Sequence, residues 1–252
     1  MSDRDGVEFL GTDAVLHAGF AVLVIALIIW VAWGLWEQSR SKGRYDSRMR
    51  RRAYRETAVF LSFLAAGCLA VIYLSGREFA QFGFAYEPSA GMRAAWVLSG
   101  LIGLFLISQI ALVANSGRAR RAMRAQIDIV KGVDRYRPAD AKDFSWFYAL
   151  SVTAGITEEI IFRGFVFGYL SLLMPIWAAA VASLALFIGG HAYQGVSGMI
   201  RILPISIAFT ILVILSGSLL QAILVHIAAD LAMGVMFWLL QKKGVPDPEC
   251  GA

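Results

Sequence analysis

Long apolar runs separated by short polar stretches dominate this chain. Seven of them stand out, at residues 14–36, 57–75, 94–114, 145–173, 175–194, 198–216 and 219–241. Each is roughly 17 to 29 residues, enough to cross a hydrocarbon layer as a helix. The pattern predicts an all-α fold, a polytopic transmembrane helical bundle of about seven spans, with eight allowed. The run 145–173 is long for one helix. Its Phe144, Trp146, Phe147 and Tyr148 suit an aromatic belt, so the span itself is expected to start near Leu150.

Composition agrees. Hydrophobic residues make up 58% of the 252 and charged residues 16%, against about 25% charged in ordinary soluble domains. No internal repeat, low-complexity segment or soluble domain large enough to fold alone stands out. The two cysteines, Cys68 and Cys250, lack metal-type spacing and leave the redox compartment open.

The net charge of +5 points to neither nucleic acid nor an acidic partner, because the basic residues are concentrated. Sixteen of the 23 Lys and Arg lie in two loops, 37–56 with MRRRAYR and 115–143 with RARRAMR. Two spans separate these loops, so both face the cytoplasm under the positive-inside rule. The acidic opening MSDRDGVEF is then outside, and Lys242 and Lys243 put the C-terminus inside. The first run is read as a retained helix rather than a signal peptide, being too long, without a small-residue cleavage site and with its charge behind it. In the second basic loop Met123, Ile127, Val130 and Val133 recur at helical spacing, which fits either an amphipathic helix on anionic lipid or a solvated loop.

Against this apolar background the polar residues inside the runs are conspicuous. Glu158, Glu159 and Arg163 lie in TEEIIFRGF, residues 157–165, with His191 near the end of the fifth run and His226 and Asp230 in the seventh. A charged side chain at mid-helix costs on the order of 2.5 to 3.5 kcal/mol on insertion scales, so such a group is paired or kept for a task. Glu159 and Arg163 are one helical turn apart and able to bond, while Glu158 points roughly 140° away from the arginine and lacks a second cation. His226 and Asp230 are again i,i+4, so the carboxylate is able to fix the imidazole tautomer or share a ligand with it. With His191, a carboxylate and two imidazoles come from three runs, a set suited to activating water. The bland reading is a structural Glu–Arg tie and satisfied membrane histidines. His17, near the outer end of the first run, is read that way. The first three runs contribute essentially no other ionisable group, and this concentration favours a catalytic or transport site.

These residues resemble a family. Glu158-Glu159-x-x-x-Arg163 followed by Gly164 is similar to the EExxxR motif of the CPBP intramembrane proteases, the CAAX protease and bacteriocin-processing or Abi group. Phe187 to His191 is similar to its FxxxH motif, and His226 to Asp230 to its HxxxN or HxxxD motif. The likeness covers about residues 144–241. It divides the chain into a three-span region with two basic loops (1–143), a catalytic helical region (144–241) and a cytoplasmic tail (242–252). It implies an integral membrane endopeptidase acting on a peptide or protein substrate near the membrane surface; the two arginine-rich loops and short length suggest a bacterial protein, multi-pass in the inner membrane, with lipid around it and no nucleic acid.

The resemblance also implies roles. Glu158 would be the general base and His191 would orient the water. Glu159 and Arg163 would hold the helix, and His226, supported by Asp230, would stabilise the oxyanion. Asp230 departs from members with Asn there, since a carboxylate must be protonated to donate. The family leaves metal open. Glu158, His191 and His226 suit Zn²⁺ with a water in the fourth position, but the same residues suffice without it, and no cofactor is expected to be required.

Other classes fit less well. There is no HExxH. Gly195-Val196-Ser197-Gly198 spells the GxSG of rhomboid proteases, but that pattern is short and would leave the glutamates unexplained, so it is read as a turn. A proton-coupled transporter or a non-catalytic scaffold is the alternative, disfavoured because the polar groups occupy only the second half.

Overall fold

The computed structural model describes residues 3–41 and 45–245, with side chains at 14–40 and 45–245. The side chains of the acidic opening, and Cys250 with the rest of the tail past residue 245, lie outside the described residues. The order is α1 (Asp3–Ser41), α2 (Ser47–Leu74), α3 (Ala90–Asn115), α4 (Gly117–Asp128), α5 (Val133–Tyr136) and α6 (Ala141–Glu158). A π-helical stretch, Glu159–Val166, carries α6 directly into α7 (Phe167–Ser171), followed by α8 (Ile176–Gly190), α9 (Gly195–Ser216) and α10 (Leu220–Lys243). Short 3₁₀ turns occupy Phe79–Phe82 and Ala192–Gln194, and there is no strand among the described residues. The fold is all-helical.

Polar residues between the runs start several helices. Asp46 accepts from the Met49 amide at 2.8 Å, Ser89 from Met92 at 2.9 Å, Ser116 from Ala119 at 3.3 Å and Asp140 from Asp143 at 2.8 Å. Each cap satisfies an amide that the helix itself leaves unpaired.

Every apolar run is helical, yet among the described residues five helices are long and apolar enough to cross a membrane: Ala14–Arg40, Ser47–Leu74, Ala90–Asn115, Ala192–Ser216 and Leu220–Lys243. The expected count of seven differs at two places. The fourth run is divided by its π-helical stretch, which contains Glu159 and Arg163. The fifth forms α8, 15 residues long. At 1.5 Å per residue α8 rises about 22 Å, short of a ~30 Å hydrocarbon core.

Contacts sort the helix ends into two groups. At one end lie the close of α1, where Glu37 pairs with Arg135 at 2.9 Å, and the start of α2, where Arg50 and Arg51 pair with Asp143 at 2.9 and 3.1 Å. The close of α10 joins them through Lys243, which donates to Ala114 O at 2.7 Å. So does the α8–α9 turn, whose Gln194 O accepts from the Lys131 amide at 3.1 Å. Both basic loops are at this end. At the other, the Leu219 amide donates to Gly83 O at 2.9 Å and Phe82 packs where a side chain on Gly168 would sit, 2.6 Å away. His17 reaches the Tyr169 hydroxyl at 2.6 Å, so it is a satisfied polar group as expected.

One large apolar cluster joins α1, α2 and α3 to the later helices through Leu16, Leu61, Ala95, Ile161, Phe165, Leu212 and Ala222. A second, around Val113, Met236 and Phe237, takes in Ile127 and Met123 of α4. The second basic loop is largely helical, and the Met123 and Ile127 face of its amphipathic helix packs on the bundle end.

Candidate active site

Within the stretch TEEIIFRGF the helical path widens. Glu158 closes α6, and Glu159–Val166 continues as π-helix, a geometry that recurs at functional sites. Its apolar members Ile161, Phe162, Phe165 and Val166 are buried and hold the stretch in the core. The Ser183 hydroxyl of α8 donates to Phe162 O at 2.7 Å, satisfying a carbonyl of the widened turn. Gly164 fits a tight space: a Cβ there would lie 3.3 Å from both Phe82 O and a Leu219 methyl.

Inside this frame Glu159 is fully buried and carries two bonds from one oxygen. Arg163 donates to its Oε1 at 3.0 Å, the expected i,i+4 pair, and His226 Nδ1 approaches the same atom at 2.7 Å. The second bond was not foreseen. Arg163 also donates to Ser206 O at 3.2 Å and lies 4.2 Å over the Phe187 ring, so the buried guanidinium is held on three sides. His226 stacks on Phe209 at 4.7 Å between centroids. The residue that orients its ring by a hydrogen bond is Glu159, on another helix, rather than Asp230 one turn away. Asp230 acts on the ring through its charge, without a hydrogen bond.

Glu158 differs from its neighbour. Its side chain is 13% exposed, and its nearest ionic partner is His226 Nε2 at 3.8 Å, beyond hydrogen-bond length. His191 caps α8, and its Nδ1 lies 2.9 Å from Phe187 O. A carbonyl only accepts, so Nδ1 carries the proton and Nε2 of the neutral ring is left as an acceptor. Asp230 is half-buried and within electrostatic reach of His226, Glu158 and His191. Glu158, Glu159 and Arg163 thus lie close to His226 of α10, while His191 at the end of α8 reaches this group only through the field it exerts on Asp230.

Close helix approach makes the meeting possible. A Cβ on Gly155 would sit 2.5 Å from an Ile227 side-chain carbon and 3.0 Å from its backbone nitrogen. Only glycine there lets α6 and α10 draw together beside His226. The turn after His191 is held by residues outside the three motifs. Gln38, with its amide nitrogen facing Tyr193 O, donates to it at 3.1 Å and accepts from the Gly132 amide at 2.8 Å. Gln38, Gly132, Gly155, Ser183, Ser206 and Phe209 were all missed, because their partners are remote in sequence. The signal available was a glycine or serine inside an apolar run.

Two alternatives can be placed. Among the described residues no three of His, Cys, Asp and Glu are grouped closely enough to hold a metal ion. Ser197 lies in the first turn of α9 and is exposed, following the turn at Gly195, whose φ is +70°.

Residues 140–232 match the family model described as Rce1-like, type II CAAX prenyl endopeptidase. The match holds all six candidate residues and agrees with the likeness to the CPBP group. It covers α6 through most of α10 and leaves α1 to α5 outside. A search of the curated proteins and a search of the solved structures returned no match.

Proposed function

We propose that this chain is an intramembrane endopeptidase that hydrolyses a peptide bond with water activated by Glu158 and His191. The observation carrying this reading is the Glu159–His226 bond at 2.7 Å, which turns the other ring nitrogen toward the partly accessible Glu158, inside the segment that matches a peptidase family. Glu158 takes one proton of the water while Nε2 of His191 accepts the other O–H as a hydrogen bond. The hydroxide attacks the carbonyl carbon, and the oxyanion that forms accepts a bond from His226 Nε2–H. That donation requires the doubly protonated ring, because Nδ1 already directs its proton to Glu159. Glu158 then gives its proton to the departing amine nitrogen, and the C–N bond breaks.

The chemistry is proposed to proceed without metal. The chain is proposed to cross a bacterial inner membrane seven times, counting the π-containing α6–α7 rod and the short α8, with the basic end in the cytoplasm and the N-terminus outside. The alternation of helix ends and the arginine-rich loops support this orientation. The test is a comparison of membrane proteomes from cells making the wild type or Glu158→Gln. New peptide termini confined to the wild type support the reading, and identical termini in both overturn it.

A further inference from the structure

The basic end of the bundle holds a cleft that the hydrolytic reading does not use. A cavity of about 540 Å³ is walled by Arg50 of α2, Arg124 of α4 and Arg137 after α5, with Asp134 as its one carboxylate. Its apolar floor includes Phe237 and Leu240 of α10. A second cavity of about 210 Å³ shares Arg124, Asp134 and Arg137 with the first.

Two further observations point to a ligand. Tyr45 lines the larger cavity at 9% exposure, and its hydroxyl has no hydrogen-bond partner among the described residues. A buried hydroxyl left unpaired is costly, and a small turn of the ring toward the cleft would let a ligand oxygen satisfy it. The cleft also sits at the level of an interfacial belt. Arg40 lies over Trp36 at 4.3 Å, Arg55 over Trp146 at 5.9 Å and Lys242 over Trp238 at 4.6 Å, all at this end. Tryptophans with cations mark the headgroup plane of a bilayer, and Trp238 is next in sequence to Phe237 in the cleft.

We infer that this cleft binds a phosphate group, as presented by an anionic phospholipid. Three guanidiniums converging on one cleft suit a phosphate once it replaces their carboxylate partners, and the apolar floor suits the glycerol and first acyl carbons below it. The arginines are not idle: Arg124 pairs with Asp128 at 2.9 Å and Arg137 with Asp134 at 2.6 Å. These are exposed pairs of the kind that hold weakly, so a doubly recognised phosphate displaces them. Arg50 is fixed by Asp143 and by Tyr45 O, which sets its guanidinium beside the tyrosine.

Native mass spectrometry of the detergent-purified full chain tests this with phosphatidylglycerol, phosphatidylcholine and inorganic phosphate as probes. Phosphatidylglycerol is expected to be retained at least tenfold over phosphatidylcholine. Arg124→Gln with Arg137→Gln should cut that retention at least tenfold. Arg118→Gln with Arg121→Gln, on the same helix but outside the cleft, should change it less than twofold. Tyr45→Phe, which removes only the unpaired hydroxyl, should lower it several-fold and tests the site even if the arginine variant folds poorly. Displacement of the lipid by millimolar phosphate assigns the site to free phosphate, and resistance assigns it to the lipid. Equal retention of the two lipids, or equal losses in the two arginine double variants, overturns the proposal in favour of diffuse charge.

Discussion

Glu158 and Glu159 are adjacent in sequence and opposite in environment, and the difference decides what each does. Glu159 is buried against Arg163 and His226, so removing its charge strands a cation in the core. Glu159→Ala is expected to cost several kcal/mol of stability and most folded protein, the usual result of unpairing a buried ion. Leucine at both Glu159 and Arg163 should recover stability by thermal-shift measurement but not activity, since His226 then loses its orienting bond. A double variant no more stable than Glu159→Ala would contradict the pair. Asp230 is a subtler case. It lies near His226 without bonding it, so Asp230→Asn is expected to leave the fold intact and reduce kcat only partly, by about tenfold or less for a charge acting at a distance. Loss as complete as that of a general base would give Asp230 a direct role.

Helices were legible because lipid-facing apolar runs admit few alternatives: a backbone in hydrocarbon must satisfy its own amides, so a run of about 20 apolar residues reads as helix. What the runs concealed was the path inside them. The π-helical turn depends on Ser183 and Phe82 packing around Phe162 and Gly164, contacts between separate helices that no local pattern encodes. The Glu159–His226 bond was hidden for the same reason. Angular arithmetic on one helix assigned Glu159 to Arg163 and His226 to Asp230; the first pair is present, but α6 and α10 approach closely enough at Gly155 for His226 to bond Glu159 as well. Gly155→Ala is therefore expected to lower kcat at least tenfold by pushing Ile227, and His226 beside it, away from α6. Adding Ile227→Ala relieves the 2.5 Å side-chain contact and should restore part of the rate, while the 3.0 Å contact with the backbone nitrogen remains. No rescue and no loss alike would mean that the approach does not set the site.

At the scale of the whole molecule, the three motifs were readable in sequence and the first and third touch through Glu159 and His226, but α1 to α5 contribute more than anchoring. They wall the basic end, and Gln38 and Gly132 pin the turn beside His191. The proposed topology has a direct check. In a Cys68→Ser, Cys250→Ser background, Ile129→Cys should react with a membrane-impermeant thiol reagent from the cytoplasmic face and Tyr86→Cys from the opposite face. Both are exposed and sit at opposite ends of the bundle, and labelling from one side only would overturn the alternation. The central claim, that Glu158 activates water for peptide hydrolysis, is tested most directly by incubating the purified chain with a peptide library in H₂¹⁸O, with and without a strong chelator, and reading products by mass spectrometry. Wild type should yield new carboxyl termini carrying ¹⁸O in both conditions, and Glu158→Gln, which keeps the shape but does not take the proton of water, should yield none while remaining folded. Cleavage by Glu158→Gln at the wild-type rate would contradict the account, and activity abolished by chelation and restored by Zn²⁺ would replace the metal-free route with a zinc-dependent one.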